Sequence, residues 1–351
     1  MPSIRNGSVS LVVTSPPYPM IEMWDGVFAE RNQKVRTALD DLSGMDAFSL
    51  MHEELDSVWS EVARVLCPGG WACINIGDAT RKLGDSFRLY SNHSRIVAAF
   101  VSLGFDILPL VLWRKQTNAP NKFMGSGMLP AGAYVTLEHE YILIMRKGAK
   151  REFKSPEEKL LRQESAYFWE ERNRWFSDVW DFKGTRQSLN DPELRNRSAA
   201  FPFELPFRLI CMYSVRGDTL LDPFLGTGTT TFAAMAAGRS SIGVDVDPSF
   251  VATVAKGCPA AKKFVNVYTL ERLSDHLEFV EKYQSEGKKL GYTNVAHRFE
   301  VMTAQEVNLR IELVDSIAVT NDNIFEVSYR AVRPDLAIEK AELESQLTLA
   351  I

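Results

Sequence analysis

Long apolar runs are missing from this sequence. None approaches the roughly 20 residues that cross a bilayer, which excludes a chain built from membrane-spanning helices. The opening stretch MPSIRNGSVS has no apolar core of the kind a secretory leader carries, so the cytoplasm is the expected location. Cysteine is scarce. Cys67, Cys73, Cys211 and Cys258 are scattered and lack the paired spacing of a zinc site or a disulfide framework. The five histidines form no ligand cluster either, and no metal is expected. Positive charge is not in surplus. A net charge of −5 gives no overall signature of a nucleic-acid binder, although phosphate contacts need only a local basic face. Repeats and low-complexity tracts are absent. What is left is an ordinary globular composition, 45% hydrophobic and 24% charged, in a chain long enough for one large domain or two.

The apolar pattern alternates between two periods. Val9, Leu11, Val12 and Val13 suit a buried strand, which stops at Thr14-Ser15 and two prolines. Met45, Phe48, Met51, Leu55, Val58, Trp59, Val62 and Leu66 recur at helical spacing. CPGG is then expected to break the helix, and WACINIG reads as a strand ending at Gly77-Asp78. HSRIVAAFVSLGF is a helix closed by Gly104, and DILPLVLW and EHEYILIMRKG are strands. ELPFRLICMYSV is a helix, DTLLD a strand, TTTFAAMAAG a helix closed by Gly238, and SSIGVDVD a strand. Such alternation predicts an α/β fold with a mostly parallel, doubly wound sheet.

Two stretches break the rhythm and read as insertions at the sheet edge. Residues 116–136 are rich in Asn, Pro and Gly, and residues 150–196 are charged and carry Trp169, Trp175 and Trp180. Residues 146–197 hold 13 Lys/Arg against 10 Asp/Glu, a modest local excess that by itself suits a solvated surface. From about Phe264 the texture changes again, to a helix over LSDHLEFVEKYQSEGKKLGY and two strands around TNDN. The expected division is therefore residues 1–263, with both insertions, and a C-terminal accessory region over 264–351.

Two motifs carry chemistry. In DPFLGTGTT, a carboxylate, Asp222, ends a strand, Gly226 and Gly228 follow, and Thr229 opens a helix. Glycines there let a backbone approach a ligand closely and turn tightly into the helix, though an isolated pair could be a plain turn. The third glycine of a dinucleotide fingerprint and the Gly-Lys-Ser/Thr of a phosphate-cradling loop are both missing. About twenty residues on, Asp245 and Asp247 close the next strand, where an acid can bind two ribose hydroxyls. That combination suits a nucleoside cofactor without a pyrophosphate, such as S-adenosylmethionine. The second motif is TSPPY, residues 14–18, far upstream.

TSPPY followed by DPFLGTGTT and IGVDVDPSFV resembles the beta-class amino DNA methyltransferases, with DVWDF, FPFELPFRLI and EHEYILIMRKG in the expected order. The resemblance covers roughly residues 8–251 and implies a class I S-adenosylmethionine-dependent methyltransferase fold in circularly permuted order, with DNA-recognition insertions and a C-terminal extension. It implies that Ser15 Oγ and the Pro16 carbonyl accept hydrogen bonds from the exocyclic amine of a flipped base. Pro17 stiffens the loop, and Tyr18 offers a ring for stacking. Asp222, Pro223, Phe224, Gly226, Gly228, Thr229 and Asp245 would bind the cofactor. Phe201 would pack on it, although RSAAFP lacks the His-Pro that many members carry before that phenylalanine. Transfer is direct, so no cysteine is assigned as nucleophile and no metal is called for. Arg172, Arg174, Lys183 and Arg186, with Asn118 and Lys122, are the DNA-contact candidates, and residues 150–196 the recognition region. Double-stranded DNA is the expected partner. A cognate restriction endonuclease and a monomeric or homodimeric state are left open. Serine at the head of the motif points to cytosine N4, with adenine N6 the alternative. A nucleotide-dependent oxidoreductase would leave Ser15–Tyr18 without a role, and a non-catalytic DNA-binding relative would not need both motifs intact.

Overall fold

A computed structural model describes residues 1–115, 124–125, 129–183, 201–321 and 323–333. Seven strands form the central sheet: β1 (Val9–Thr14), β2 (Leu66–Ile76), β3 (Phe105–Lys115), β4 (His139–Lys147), β5 (Val179–Phe182), β6 (Thr219–Asp222) and β7 (Ser240–Gly243), in the order β7-β6-β1-β2-β4-β3-β5. β4 runs antiparallel to both neighbours, and the other pairings are parallel.

Both faces are covered, and the period of two shows why the strands read as unbroken apolar runs. Val12 and Leu143 point to one face, against Met51, Leu55, Trp59 and Val62 of α1 (Gly44–Val65) and Ile96 and Phe100 of α2 (Asn92–Ser102). Leu11, Val13, Ile142 and Ile144 point to the other. There they meet Leu205, Leu209 and Ile210 of α3 (Glu204–Tyr213) and Ala233 and Ala234 of α4 (Thr229–Ala236).

CPGG behaves differently from its sequence reading. It lies inside β2, where pairing shifts from Val9–Leu66 to Leu11–Trp71. The extra residues form a bulge that absorbs Pro68, and Gly69 sits at φ +78° where a Cβ would stand 2.8 Å from the Arg151 nitrogen. The strand thus continues through a proline because the bulge leaves its missing N–H without a ladder partner to satisfy. β7 is also shorter than expected, which leaves Asp245 and Asp247 in the turn after it.

The helix α5 (Pro248–Ser285) runs straight through the expected boundary at residue 263. Its first half packs against α4, with Cys258 and Val265 against Met235 and Val314. Its second half buries Leu270 and Leu273 with Phe168 of the insertion and Leu309, Ile311 and Leu313. The two C-terminal strands around TNDN form the antiparallel hairpin Glu312–Asn321 and Ile324–Ala331. No helix among the described residues is long and apolar enough to cross a membrane.

Candidate active site at the carboxyl edge of the sheet

The parallel strands β1, β2, β3, β6 and β7 end at one edge, and β4 begins there. β6 delivers Asp222, which is 3% exposed and accepts hydrogen bonds from the Thr14 hydroxyl at 2.6 Å and the Phe224 N–H at 3.1 Å. Burial raises its pKa to about 6, with the nearby Asp245 charge acting in the same direction. Pro223 is buried, and Phe224, half-buried, sets its ring edge-on to Trp59. Gly226 takes φ +48°, and its N–H donates to Asp245 Oδ2 at 2.9 Å. Gly228 takes φ +77° as the N-cap of α4, where a Cβ would lie 2.8 Å from the Val254 side chain of α5. Only glycine meets both demands. Asp245 Oδ1 accepts the Asp247 N–H at 3.0 Å, and Asp247 itself caps α5 by accepting from Ser249 N–H at 2.9 Å. The two acids therefore divide: Asp245 faces the glycine turn, and Asp247 serves the helix. Phe201 is buried in the core layer with Leu11, Val13 and Phe207.

β1 delivers the other motif. Ser15 and Pro17 are half-buried and Pro16 is buried. Tyr18 is 8% exposed, and its hydroxyl meets three partners: Glu140 Oε2 at 2.9 Å, Asn75 Nδ2 at 2.8 Å and Ser15 Oγ at 3.1 Å. Asn75 also donates to Glu140 Oε2 at 2.6 Å, and Lys115 pairs with Glu140 Oε1. Burial first, then the Glu140 charge, hold the Tyr18 pKa well above the ordinary phenol value. The hydroxyl therefore keeps its proton and gives it to Glu140. With that proton spent and Asn75 donating, the phenol oxygen can only accept from Ser15. The Ser15 O–H points at Tyr18, and its oxygen lone pairs are left to accept from elsewhere.

Thr14 ties the motifs together, since its hydroxyl bonds Asp222 while its chain neighbour is Ser15. Sequence reasoning missed Thr14, Asn75, Lys115 and Glu140. The signal for two of them was an amide inside WACINIG and an acid beginning EYILIM, each a polar residue in an apolar strand.

Among the described residues, the basic candidates Lys183, Arg172 and Arg174 do not gather at one place. Lys183 is exposed just past β5, whose Phe182 pairs with Lys115, so it lies at the edge that holds Ser15. Arg172 and Arg174 are exposed on the short helix Trp169–Trp175, which leads into β5 at its opposite end. That helix is pinned by an ion pair from Arg272 to Glu171 and by Phe168 stacked on His276 at 3.8 Å. Arg186, Asn118 and Lys122 lie outside the described residues.

An acid at the end of β6 and two left-handed glycines after it, beside a Pro-Pro-Tyr loop after β1, define a class I methyltransferase architecture in permuted order, with the Pro-Pro-Tyr motif first. The chain belongs to the N6/N4 DNA methylase family, whose model matches residues 9–256. It is 50% identical over 351 residues to the type II methyltransferase M.MthZI of Methanothermobacter thermautotrophicus, covering 99% of this chain and 96% of that one. It is 52% identical over 260 residues to the type II methyltransferase M.MjaI of Methanocaldococcus jannaschii, covering 71% and 84%. Among solved structures it resembles a protein of Thermus thermophilus described as a putative DNA modification methylase and complexed with S-adenosyl-L-methionine. That match has a TM-score of 0.56 and 32% identity, over 74% of this chain and 90% of the other.

Proposed function

We propose that the protein methylates the exocyclic N4 amine of cytosine in double-stranded DNA, using S-adenosylmethionine, on a base turned out of the duplex. The observation that carries the reading is the 2.6 Å bond from Thr14 to Asp222, which sets the acceptor loop and the glycine turn side by side. When bound, S-adenosylmethionine supplies an activated methyl group on a cationic sulfur.

The residues fit that molecule. Each Asp245 oxygen holds one backbone N–H, which leaves lone pairs for the two hydroxyls of a ribose. The glycine turn leaves room for close backbone approach. Asp222 offers a carboxyl at the same turn, where a cationic methionine end would favour its ionised form.

Ser15 and the Pro16 carbonyl act on the base. The amine of a nucleobase is a poor nucleophile because its lone pair is delocalised into the ring. Acceptors aimed at its two N–H groups favour a pyramidal nitrogen with the lone pair free. Tyr18 fixes the Ser15 proton, so Ser15 can serve as one acceptor. Proline at 16 presents a carbonyl without adding a competing N–H. A neutral hydroxyl and a carboxylate can each orient an amine, and the cytosine assignment rests on the resemblance, in which serine at the head of the motif goes with N4 of cytosine.

The test is chemical. DNA methylated by the purified protein is digested to nucleosides and analysed by mass spectrometry. N4-methylcytosine is expected; N6-methyladenine in its place would overturn the base and leave the reaction standing.

A further inference from the structure

A buried amide joins two pieces of chain behind the acceptor loop. Asn92, fully buried at the start of α2, donates through Nδ2 to the Pro19 carbonyl at 3.1 Å and to the Gly77 carbonyl at 2.9 Å. Pro19 follows Tyr18. Gly77 follows β2 and lies against the Tyr18 ring, where a Cβ would meet Cε2 at 3.0 Å. Asn92 Oδ1 accepts from His52 Nε2 of α1 at 3.0 Å.

His52 is buried as completely, and its Nδ1 has no hydrogen-bond partner among the described residues. Protonation would strand a second N–H in the core, so the ring stays neutral with its proton on Nε2. Burial accordingly lowers its pKa to about 4. The two carbonyls set the amide orientation, because a flipped Asn92 would turn its oxygen towards them, and the amide oxygen so placed takes the Nε2 proton of His52 and locks the pair.

The loop also ends under strain. Met20 is buried at φ +66°, a left-handed conformation costing roughly 1–2 kcal/mol for a residue with a side chain. Its N–H points at the sulfur of Met51, the neighbour of His52 on α1, at 3.4 Å. Strain of this kind persists where the surroundings over-determine it. Here α1 and α2 supply that constraint at the far end of the loop, as Thr14 does at the near end.

We infer that Asn92 and His52 are positioning residues for methyl transfer, fixing the Pro19 and Gly77 carbonyls and, through them, the placement of Pro16 and Tyr18. The inference rests on the methyltransferase reading above. A displacement of about 1 Å at a reacting centre can cost on the order of 10²-fold in rate, and no contact with substrate is needed to cause it.

The experiment compares full-length H52L, H52Q and N92L with V62A, a cavity variant on the same helix. It measures kcat and KM for DNA, S-adenosylmethionine affinity by titration, and hydrogen exchange across residues 14–23. H52L and N92L are expected to lose about 10- to 100-fold in kcat. They should keep cofactor affinity within about threefold and exchange faster in that segment. H52Q, whose amide can replace the Nε2 donor, should stay within about threefold of the parent kcat, and V62A should keep the parent kcat despite a lower Tm. Parent-like kcat in folded H52L overturns the inference, as does an H52Q loss equal to that of H52L. If N92L fails to fold, the two His52 variants decide. If the parent protein methylates no base, the functional reading falls. Exchange in H52L then still decides the clamp, and parent-like protection overturns it.

Discussion

Asp222 is a carboxyl kept dry between two strands, and its raised pKa has a stability consequence. A folded-state pKa of about 6 against an unfolded 3.8 favours the native state fully below pH 3.8, and the benefit fades as pH rises through about 6. The shift corresponds to roughly 3 kcal/mol as an upper bound. Asp222→Asn keeps an oxygen for Thr14 and Phe224 and removes the charge. It is expected to be more stable than the parent at pH 8 by up to that amount and equal near pH 4, while binding S-adenosylmethionine more weakly. Denaturant titrations at the two pH values check the first part and calorimetric titration the second. Ser15→Ala should lower kcat on the order of 10²-fold, as loss of one positioned polar contact does elsewhere, with cofactor affinity unchanged. Tyr18→Phe should lower it too, and the double variant should lose less than the sum, because Tyr18 acts partly by aiming Ser15. Additive losses in that cycle would contradict the hydrogen-bond order derived for Tyr18.

At the scale of elements, the glycine turn and the insertion carry opposite lessons. Gly228→Ala meets both a left-handed φ and the Val254 side chain, and should destabilise by roughly 1–3 kcal/mol. V254A in the same chain should recover the steric part and leave the backbone part, which thermal unfolding resolves. The turn was legible in the sequence because Gly-x-Gly directly before a helix that opens on threonines is a local pattern. The placement of the basic residues was not. Arg172 and Arg174 share a segment with Lys183, yet β5 lies between them and sends them to opposite ends of the sheet. Lys183→Glu should therefore weaken DNA binding and flatten the slope of log affinity against log salt by about one to two units. Reversing Arg172 and Arg174 together should change that slope less.

The molecule as a whole is tied by Arg272. Its guanidinium pairs with Glu171 of the insertion at 2.8 Å and lies over Phe168 of that segment and Phe207 of α3, at 5.3 and 5.6 Å. Replacing it with methionine leaves Glu171 charged and buried, which should cost roughly 3–5 kcal/mol. Because α5 is continuous across residue 263, the loss is expected to lower one cooperative transition. Two separated transitions in calorimetry would show instead that the accessory region folds on its own.

The sequence by itself determined the layered α/β plan, the order of the strands along the chain, and the two motifs. Each of these is written in short-range periodicity or in a local string of residues. It did not determine the boundary at α5, because a helix that crosses a change in composition has no local mark there. Nor did it give Thr14, Asn75, Lys115 and Glu140 as partners of the motifs, or His52 and Asn92 as their support. Those residues stand on different strands and helices, most of them tens of positions from Ser15–Tyr18 in the chain, and only the tertiary arrangement, with β1, β2 and β6 parallel, β4 antiparallel and α1 and α2 packed on the sheet, brings their polar atoms within hydrogen-bond reach. Burial then made the contacts consequential. The same Tyr18 hydroxyl in water would have exchanged partners freely, whereas among apolar neighbours it must keep its proton and dictate where Ser15 points.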